Sequence, residues 1–146
     1  MNSSTPSSGY PRPTRALLSV RPQYADAILR GEKRYEYRRV IFARPVDTIL
    51  IYATSPRARV VGEFDVQGIM ARSPRELWEC TRDASGIDEL AFFHYFAGKA
   101  LGYAIEVGEV RRYEEPFCPL SVLKLRPPQS FAYVRSTPNT AIGRAL

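Results

Sequence analysis

Cysteine, histidine and lysine are all scarce in this chain, and each scarcity excludes a class of chemistry. Two cysteines, Cys80 and Cys118, and one histidine, His94, stand among 146 residues. They form no CxxC pair and no set of ligands at zinc spacing, so no metal and no cofactor is expected. The two thiols are expected to stay reduced. No apolar run nears the ~20 residues of a membrane helix, so no membrane partner is expected. Met1 to Pro13 is rich in Ser and Pro and lacks the apolar stretch of a secretory signal. The expected location is therefore the cytoplasm.

What is abundant is arginine. Of 21 cationic residues only Lys33, Lys99 and Lys124 are lysine, and the formal net charge is +6. Guanidinium forks grip phosphates in pairs of hydrogen bonds and stack on bases, which suits RNA or a nucleotide as partner. A GC-rich coding sequence produces the same bias, and charge alone leaves the two open. Protein partners are not specified by any motif.

The chain divides into a Ser/Pro-rich tail over 1–14, one folded domain over 15–135 and a flexible tail over 136–146. Apolar residues at 45 % and a single domain's length suffice for one core. A strand is expected over Ala16 to Val20. A helix follows, with Pro22 at its first position and Gly31 as its stop. Strands are expected over Lys33 to Arg39, Asp47 to Thr54 and Arg59 to Met70. In the last, period-two alternation places Val60, Gly62, Phe64 and Val66 on one face and Val61, Glu63, Asp65 and Gln67 on the other. Ser73-Pro74-Arg75-Glu76 is a capping box that starts a helix, with Leu77 and Trp78 facing inward. A second helix runs from about Ile87 to Ala97, and a strand from Leu101 to Tyr113. Four prolines from Pro116 to Pro128 then interrupt regular structure. This order predicts an α+β fold: a small, partly open β-barrel flanked by helices.

The run Gly31-Glu32-Lys33-Arg34-Tyr35-Glu36-Tyr37-Arg38-Arg39 alternates charge with aromatic rings, a strand signal. With Ile51-Tyr52-Ala53-Thr54-Ser55-Pro56, Val61-Gly62-Glu63-Phe64, Ser73-Pro74-x-Glu76-Leu77-Trp78, Gly102-Tyr103-Ala104-Ile105 and Pro127-Pro128-Gln129-Ser130-Phe131 it resembles the ASCH domains of the PUA-like superfamily. The match covers about residues 16–133. The resemblance implies a barrel with a cleft where the Lys33-x-x-Glu36-x-Arg38 strand meets its mouth, and an RNA-binding or modified-nucleotide-binding role. It also implies two enzymatic alternatives, removal of the acetyl group from acetylated cytidine and ribonuclease activity, and a transcription-associated regulatory role. In the amidohydrolase group a Lys and a hydroxyl residue three positions on belong to the active site. Those positions are Lys33 and Glu36 here, so a carboxylate replaces the hydroxyl. The acidic partner of that group falls near Ser85-Gly86, where this chain has no carboxylate.

The residues leave alternatives beside that implication. Lys33 is either an exposed turn residue or a cleft cation able to act as base or nucleophile. Glu36 and Arg38 are either a solvated pair or a phosphate- and base-binding pair. Glu63 is either exposed or a buried carboxylate partnered by Lys33 or Arg38, and in an enzyme it joins Lys33 and Glu36 as a catalytic candidate. Tyr52 is a candidate stacking platform. Thr54 and Ser55 either cap a turn or donate to a ligand. Arg57, Arg59, Arg111 and Arg112 either form a basic rim or are simply solvated. Trp78 and His94 read as packing residues, the histidine partly buried. An enzyme calls for Lys33 within hydrogen-bond reach of a carboxylate or hydroxyl in a closed pocket; a binding module calls for an open groove with a basic rim.

Overall fold

Long apolar runs flanked by polar turns build one six-stranded sheet. The structure, a computed structural model, describes residues 14–135; the two expected tails lie outside that range, apart from Thr14. The strands are β1 (Arg15–Val20), β2 (Tyr35–Arg38), β3 (Thr48–Ala53), β4 (Arg59–Arg72), β5 (Gly102–Phe117) and β6 (Phe131–Val134). Their spatial order is β2-β5-β4-β3-β1-β6. Only β1 and β3 pair in parallel; every other neighbour is antiparallel. The helices are α1 (Pro22–Leu29), α2 (Pro74–Thr81), α3 (Glu89–Tyr95) and α4 (Pro119–Leu123). The fold is α+β, as expected. Among the described residues no helix is long and apolar enough to cross a membrane.

Every residue of β3 is buried. Its alternate side chains enter two cores, which is why the run is apolar throughout rather than alternating. Ile49, Ile51 and Ala53 join Ala25 and Ile28 of α1 in one core. Leu50 and Tyr52 join Val60 and Tyr113 in the other. A third cluster, with Tyr37, Leu77, Phe92 and Phe96, holds α2 and α3 against β2 and β5.

The pairing of β4 with β5 shifts register at Val60/Gly62, Phe64/Val66 and Val66/Gly68, and the pairing with β3 shifts at the same first place. Such bulges bend a ribbon and increase its twist, curling the sheet into a half-barrel. They also correct the simple alternation expected for β4. Val61 and Phe64 share one core, while Val60 enters the other. One extra residue in a strand moves everything beyond it to the opposite face.

Two further differences lie near the C-terminal end. β5 continues to Phe117, four residues beyond its expected end. The proline-rich stretch also holds regular structure, because Pro119 takes the first position of α4, where no N–H is required. β6 then adds to the edge of β1.

The bulge at Val61 changes the surroundings of Glu63. Glu63 stands opposite Arg111 in the β4–β5 register, so Arg111 replaces the expected partners Lys33 and Arg38. Arg111 Nε donates to Glu63 Oε2 at 2.7 Å, and its Nη1 to Asp65 Oδ2 at 3.1 Å. Tyr113 O–H donates to the other Glu63 oxygen at 2.5 Å. Glu63 is thus a structural carboxylate, and Arg111 is no free rim cation.

The hydrogen bond from Arg111 holds the Asp65 carboxyl below the usual carboxylate range. A group depressed in this way stabilises the fold fully above its unfolded value, about 3.9 for aspartate, and loses that contribution as pH falls through the folded value. Urea midpoints followed from neutral pH into acid are therefore expected to fall less steeply in Asp65→Asn than in wild type. Equal slopes would show that Arg111 does not link Asp65 to folding.

Candidate functional site

The end of α1 sets the first side chain of the site. Gly31 adopts φ +83°, a left-handed conformation open to glycine. The N–H groups of Glu32 and Lys33 then both donate to Ala27 O, at 3.0 and 3.1 Å. This tight turn precedes β2, so Lys33 lies before the strand rather than in it, and its side chain points inward. Lys33 is only 2 % exposed.

The Lys33 ammonium has no carboxylate at contact distance among the described residues. Its Nζ donates to Ser85 O at 2.6 Å. It also faces the rings of Tyr37 and Tyr24, at 4.6 and 5.1 Å from their centroids. Aromatic faces attract a cation without neutralising it. Burial pulls its proton affinity below the ordinary lysine value, and the charge of Glu36 pushes partly back.

Glu36 and Arg38 lie two residues apart on β2. Arg38 Nη1 donates to Glu36 Oε2 at 3.0 Å, and both side chains are nearly buried. This is a sheltered pair rather than a solvated one. Arg38 also reaches across the open edge of the half-barrel. It donates to Ser19 O on β1 at 3.3 Å and to Ser130 Oγ, just before β6, at 2.7 Å. The segment Pro127-Pro128-Gln129-Ser130 is anchored in turn by Ser19, whose Oγ donates to Pro128 O and whose N–H donates to Ser130 O.

These residues form the floor of a cleft of about 870 Å³. Ser19, Tyr24, Glu36, Tyr37 and Arg38 come from β1, α1 and β2, and Lys33 from the turn between α1 and β2; Asp88, Leu90, Ala91 and His94 come from the α3 side. Asp88 caps α3 by accepting from Ala91 N–H at 2.8 Å. The rim residues Arg21, Asp88, Leu90, His94 and Gln129 are exposed, so the cleft opens to solvent. Leu90 is 84 % exposed, a large apolar side chain at the entrance. Tyr37 O–H donates to Thr81 Oγ1 at 2.7 Å, since the Thr81 proton already goes to Leu77 O. Burial pushes the Tyr37 phenol up to about 12 and raises Tyr95 as well. Among the described residues no three His, Cys, Asp or Glu side chains gather as a metal-ligand set.

Of the residues singled out in the sequence, Lys33, Glu36, Arg38 and Thr54 come together on this cleft. Apart from His94, the others stand away from it. Tyr52 is buried in the second core on the far face of β3. Ser55 sits in an exposed turn with a cis bond to Pro56. Arg57 lies 3.6 Å from Asp26. Arg59 is exposed and donates to Ala58 O. Trp78 packs on Phe92, with ring centroids 4.9 Å apart. His94 is exposed on the cleft rather than partly buried. Ser19, Tyr24 and Asp88 carried no signal of their own in the sequence, and Gln129 and Ser130 stood out only as part of the segment that carries the family resemblance. The Leu90-Ala91-His94 spacing did, since it places one apolar and one imidazole side chain on the same helical face.

Gly86 is what makes room for the buried lysine. A Cβ there would lie 2.5 and 2.6 Å from Lys33 Cβ and Cγ, and its φ of +66° disfavours any side chain. Gly86→Ala is expected to cost about 1–3 kcal/mol in urea unfolding. Adding Lys33→Ala should recover part of that loss, because the clash is with the lysine stem. Additive losses would place the strain in the backbone and at the Lys33 Cβ, which alanine keeps.

The ASCH domain model matches residues 18–125. An ASCH domain-containing ribonuclease of Zymomonas mobilis is 29 % identical over 130 residues, covering 82 % of this chain and 84 % of that protein. The crystal structure of ASCH from Zymomonas mobilis superposes with a TM-score of 0.76 at 27 % identity, over 83 % of this chain and 87 % of that one. A serine-to-alanine mutant of the Zymomonas protein gives a TM-score of 0.77 at 26 % identity, over 86 % and 92 %. The ATP synthase subunit alpha of Ureaplasma parvum is 28 % identical over 120 residues, and this chain spans only 15 % of its length. With the family model matching most of its length and the same half-barrel in place, the chain belongs to the ASCH domain family.

Proposed function

We propose that the protein is a ribonuclease that draws single-stranded RNA through the cleft between β2 and α3 and cuts it there. One observation carries the reading: a buried ammonium, Lys33, and a braced carboxylate, Glu36, stand together on the floor of an open cleft. The openness matters, because a polymer has to enter and leave at both ends. A free acylated nucleoside calls for an enclosed pocket instead. The volume, about 870 Å³, suits one or two nucleotides. The name of the Zymomonas relative, a ribonuclease, supports the same substrate class.

The chemistry follows from the groups present. Lys33 has three N–H donors and gives one to Ser85 O. The others are available to phosphate oxygens, where a cation in a sheltered site stabilises the charge that develops at phosphorus. Glu36 gives Oε2 to Arg38 and keeps Oε1 for a ligand. It takes the proton of a ribose 2′-hydroxyl, which attacks the neighbouring phosphorus. The new O2′–P bond forms as the P–O5′ bond breaks, leaving a 2′,3′-cyclic phosphate and a 5′-hydroxyl end. Arg38 positions Glu36, and exposed Arg21 meets a flanking phosphate. Tyr24 and Tyr95 offer ring faces to a base, a contact worth about 1–3 kcal/mol.

Incubation of the purified protein with an end-labelled single-stranded RNA tests this reading. Cleavage is expected, with cyclic-phosphate ends. Lys33→Ala is expected to slow it by about 10²–10³-fold, the scale of losing one preorganised charge donor. Arg21→Ala is expected to keep cleavage while reducing the salt slope of RNA binding by about one. RNA that binds and stays intact would leave a binding module and remove the enzyme. RNA cut equally well by Lys33→Ala would remove this cleft as the site.

A further inference from the structure

Cleavage as described leaves one proton unplaced, the one that the departing 5′-oxygen needs. We infer that His94 supplies it, as the general acid of the cleft. The inference rests on the ribonuclease reading and assigns a residue that the Lys33-x-x-Glu36-x-Arg38 strand does not contain.

Displacement at phosphorus is in line, so the entering 2′-oxygen and the departing 5′-oxygen lie on two sides of the atom. The base and the acid therefore come from different directions. Glu36 occupies β2. A second proton carrier has to come from another element lining the same cleft, and α3 is one that brings a histidine to it. Histidine is the side chain most used for this work, because imidazole both gives and takes protons readily.

The other ionisable groups of the cleft have other roles: Lys33 donates to Ser85 O and keeps its remaining N–H groups for the phosphate oxygens. Asp88 Oδ1 caps α3. Arg38 is bound to Glu36, Ser19 and Ser130. Arg21 is a guanidinium, which does not give up its proton in proteins. Tyr37 and Tyr95 hold their protons tightly, raised by burial. Tyr24 faces the Lys33 ammonium. His94 differs from all of these: it is exposed on the cleft, and among the described residues its ring makes no hydrogen bond or ion pair. Leu90, one turn earlier on the same face, gives the imidazole an apolar neighbour and narrows the space in which a leaving group can sit.

The step balances. The 2′-hydroxyl proton passes to Glu36 as the O2′–P bond forms. The P–O5′ electron pair goes to O5′, and the His94 imidazolium gives its proton there. Glu36 then holds one proton more and His94 one fewer, and exchange with water restores both. No oxidant or further reactant is needed.

The test uses two RNAs of one sequence, one ordinary and one with sulfur in place of the bridging 5′-oxygen at the cleavage position. A thiolate leaves without a proton, so the acid matters only for the oxygen substrate. His94→Ala and the bulkier His94→Gln are expected to slow cleavage of ordinary RNA by about 10²–10⁴-fold, the usual contribution of one positioned acid. Both variants are expected to bind RNA as wild type does and to cut the sulfur substrate at close to the wild-type rate. Because His94 is exposed, neither change disturbs a core. Equal losses on both substrates would make His94 a binding or positioning residue, and no loss on either would remove it from the reaction. Both results overturn the assignment while leaving the ribonuclease reading intact. A wild-type protein that cuts neither RNA overturns both.

Discussion

One guanidinium closes the open side of this half-barrel. β2 is one edge of the sheet and β6, beside β1, is the other. Arg38 extends from the first edge, reaches Ser19 O on β1 and meets Ser130 at the entry to β6. No backbone ladder joins these edges, so the side chain does what a seventh strand would do in a closed barrel. The same guanidinium holds Glu36. Barrel closure and carboxylate placement are thus a single interaction. Charge-assisted hydrogen bonds of this kind are about twice as strong as neutral ones, and shelter from solvent strengthens them further.

Beside that clasp the fold keeps a buried cation that costs stability. An ammonium taken from water needs partners, and a carboxylate in contact would satisfy it best. Lys33 instead has a carbonyl and two aromatic faces. These hold the side chain in place yet leave much of its charge uncompensated. Gly86 belongs to the same arrangement, since only a residue without Cβ fits against the lysine stem. A structure selected for stability alone would place an apolar side chain there. The functional reading accounts for the lysine.

Much of the frame was legible from local chemistry. Pro22 and Gly31 bracket α1, and Ser73 caps α2 by accepting from Glu76 N–H while its hydroxyl donates to the Glu76 carboxylate. The apolar run of β3 reads as a strand buried on both faces. The half-barrel itself was implied by the family resemblance and by the order of elements. What stayed hidden depends on pairing rather than on local pattern. The register shifts of β4 send Val61 and Val60 to different cores, and no periodicity within one strand reveals where a bulge falls. β6 gains strand form only by adding to β1. The site divides in the same way. Lys33, Glu36 and Arg38 lie within six residues of one another and were visible as a motif. Tyr52, Arg57, Arg59 and Glu63 looked equally suitable by residue type, yet pairing across strands turns them elsewhere. Asp88 was passed over and His94 was read as a packing residue, because the helical spacing alone does not tell which face of α3 meets the distant β2.

The position of α2 and α3 in the chain has an evolutionary consequence. Both helices lie between the end of β4 at Arg72 and the start of β5 at Gly102. The cleft floor comes from residues 19–38, so floor and wall belong to separate stretches connected through the sheet. The insertion carries Leu90 and His94 on one face and is anchored by Leu77, Phe92 and Phe96 on the other. Its length and cleft face are therefore free to diverge while the anchoring face and the barrel stay unchanged. A lineage changing the shape of the cleft would need only to exchange this one segment, keeping the same floor of Lys33, Glu36 and Arg38.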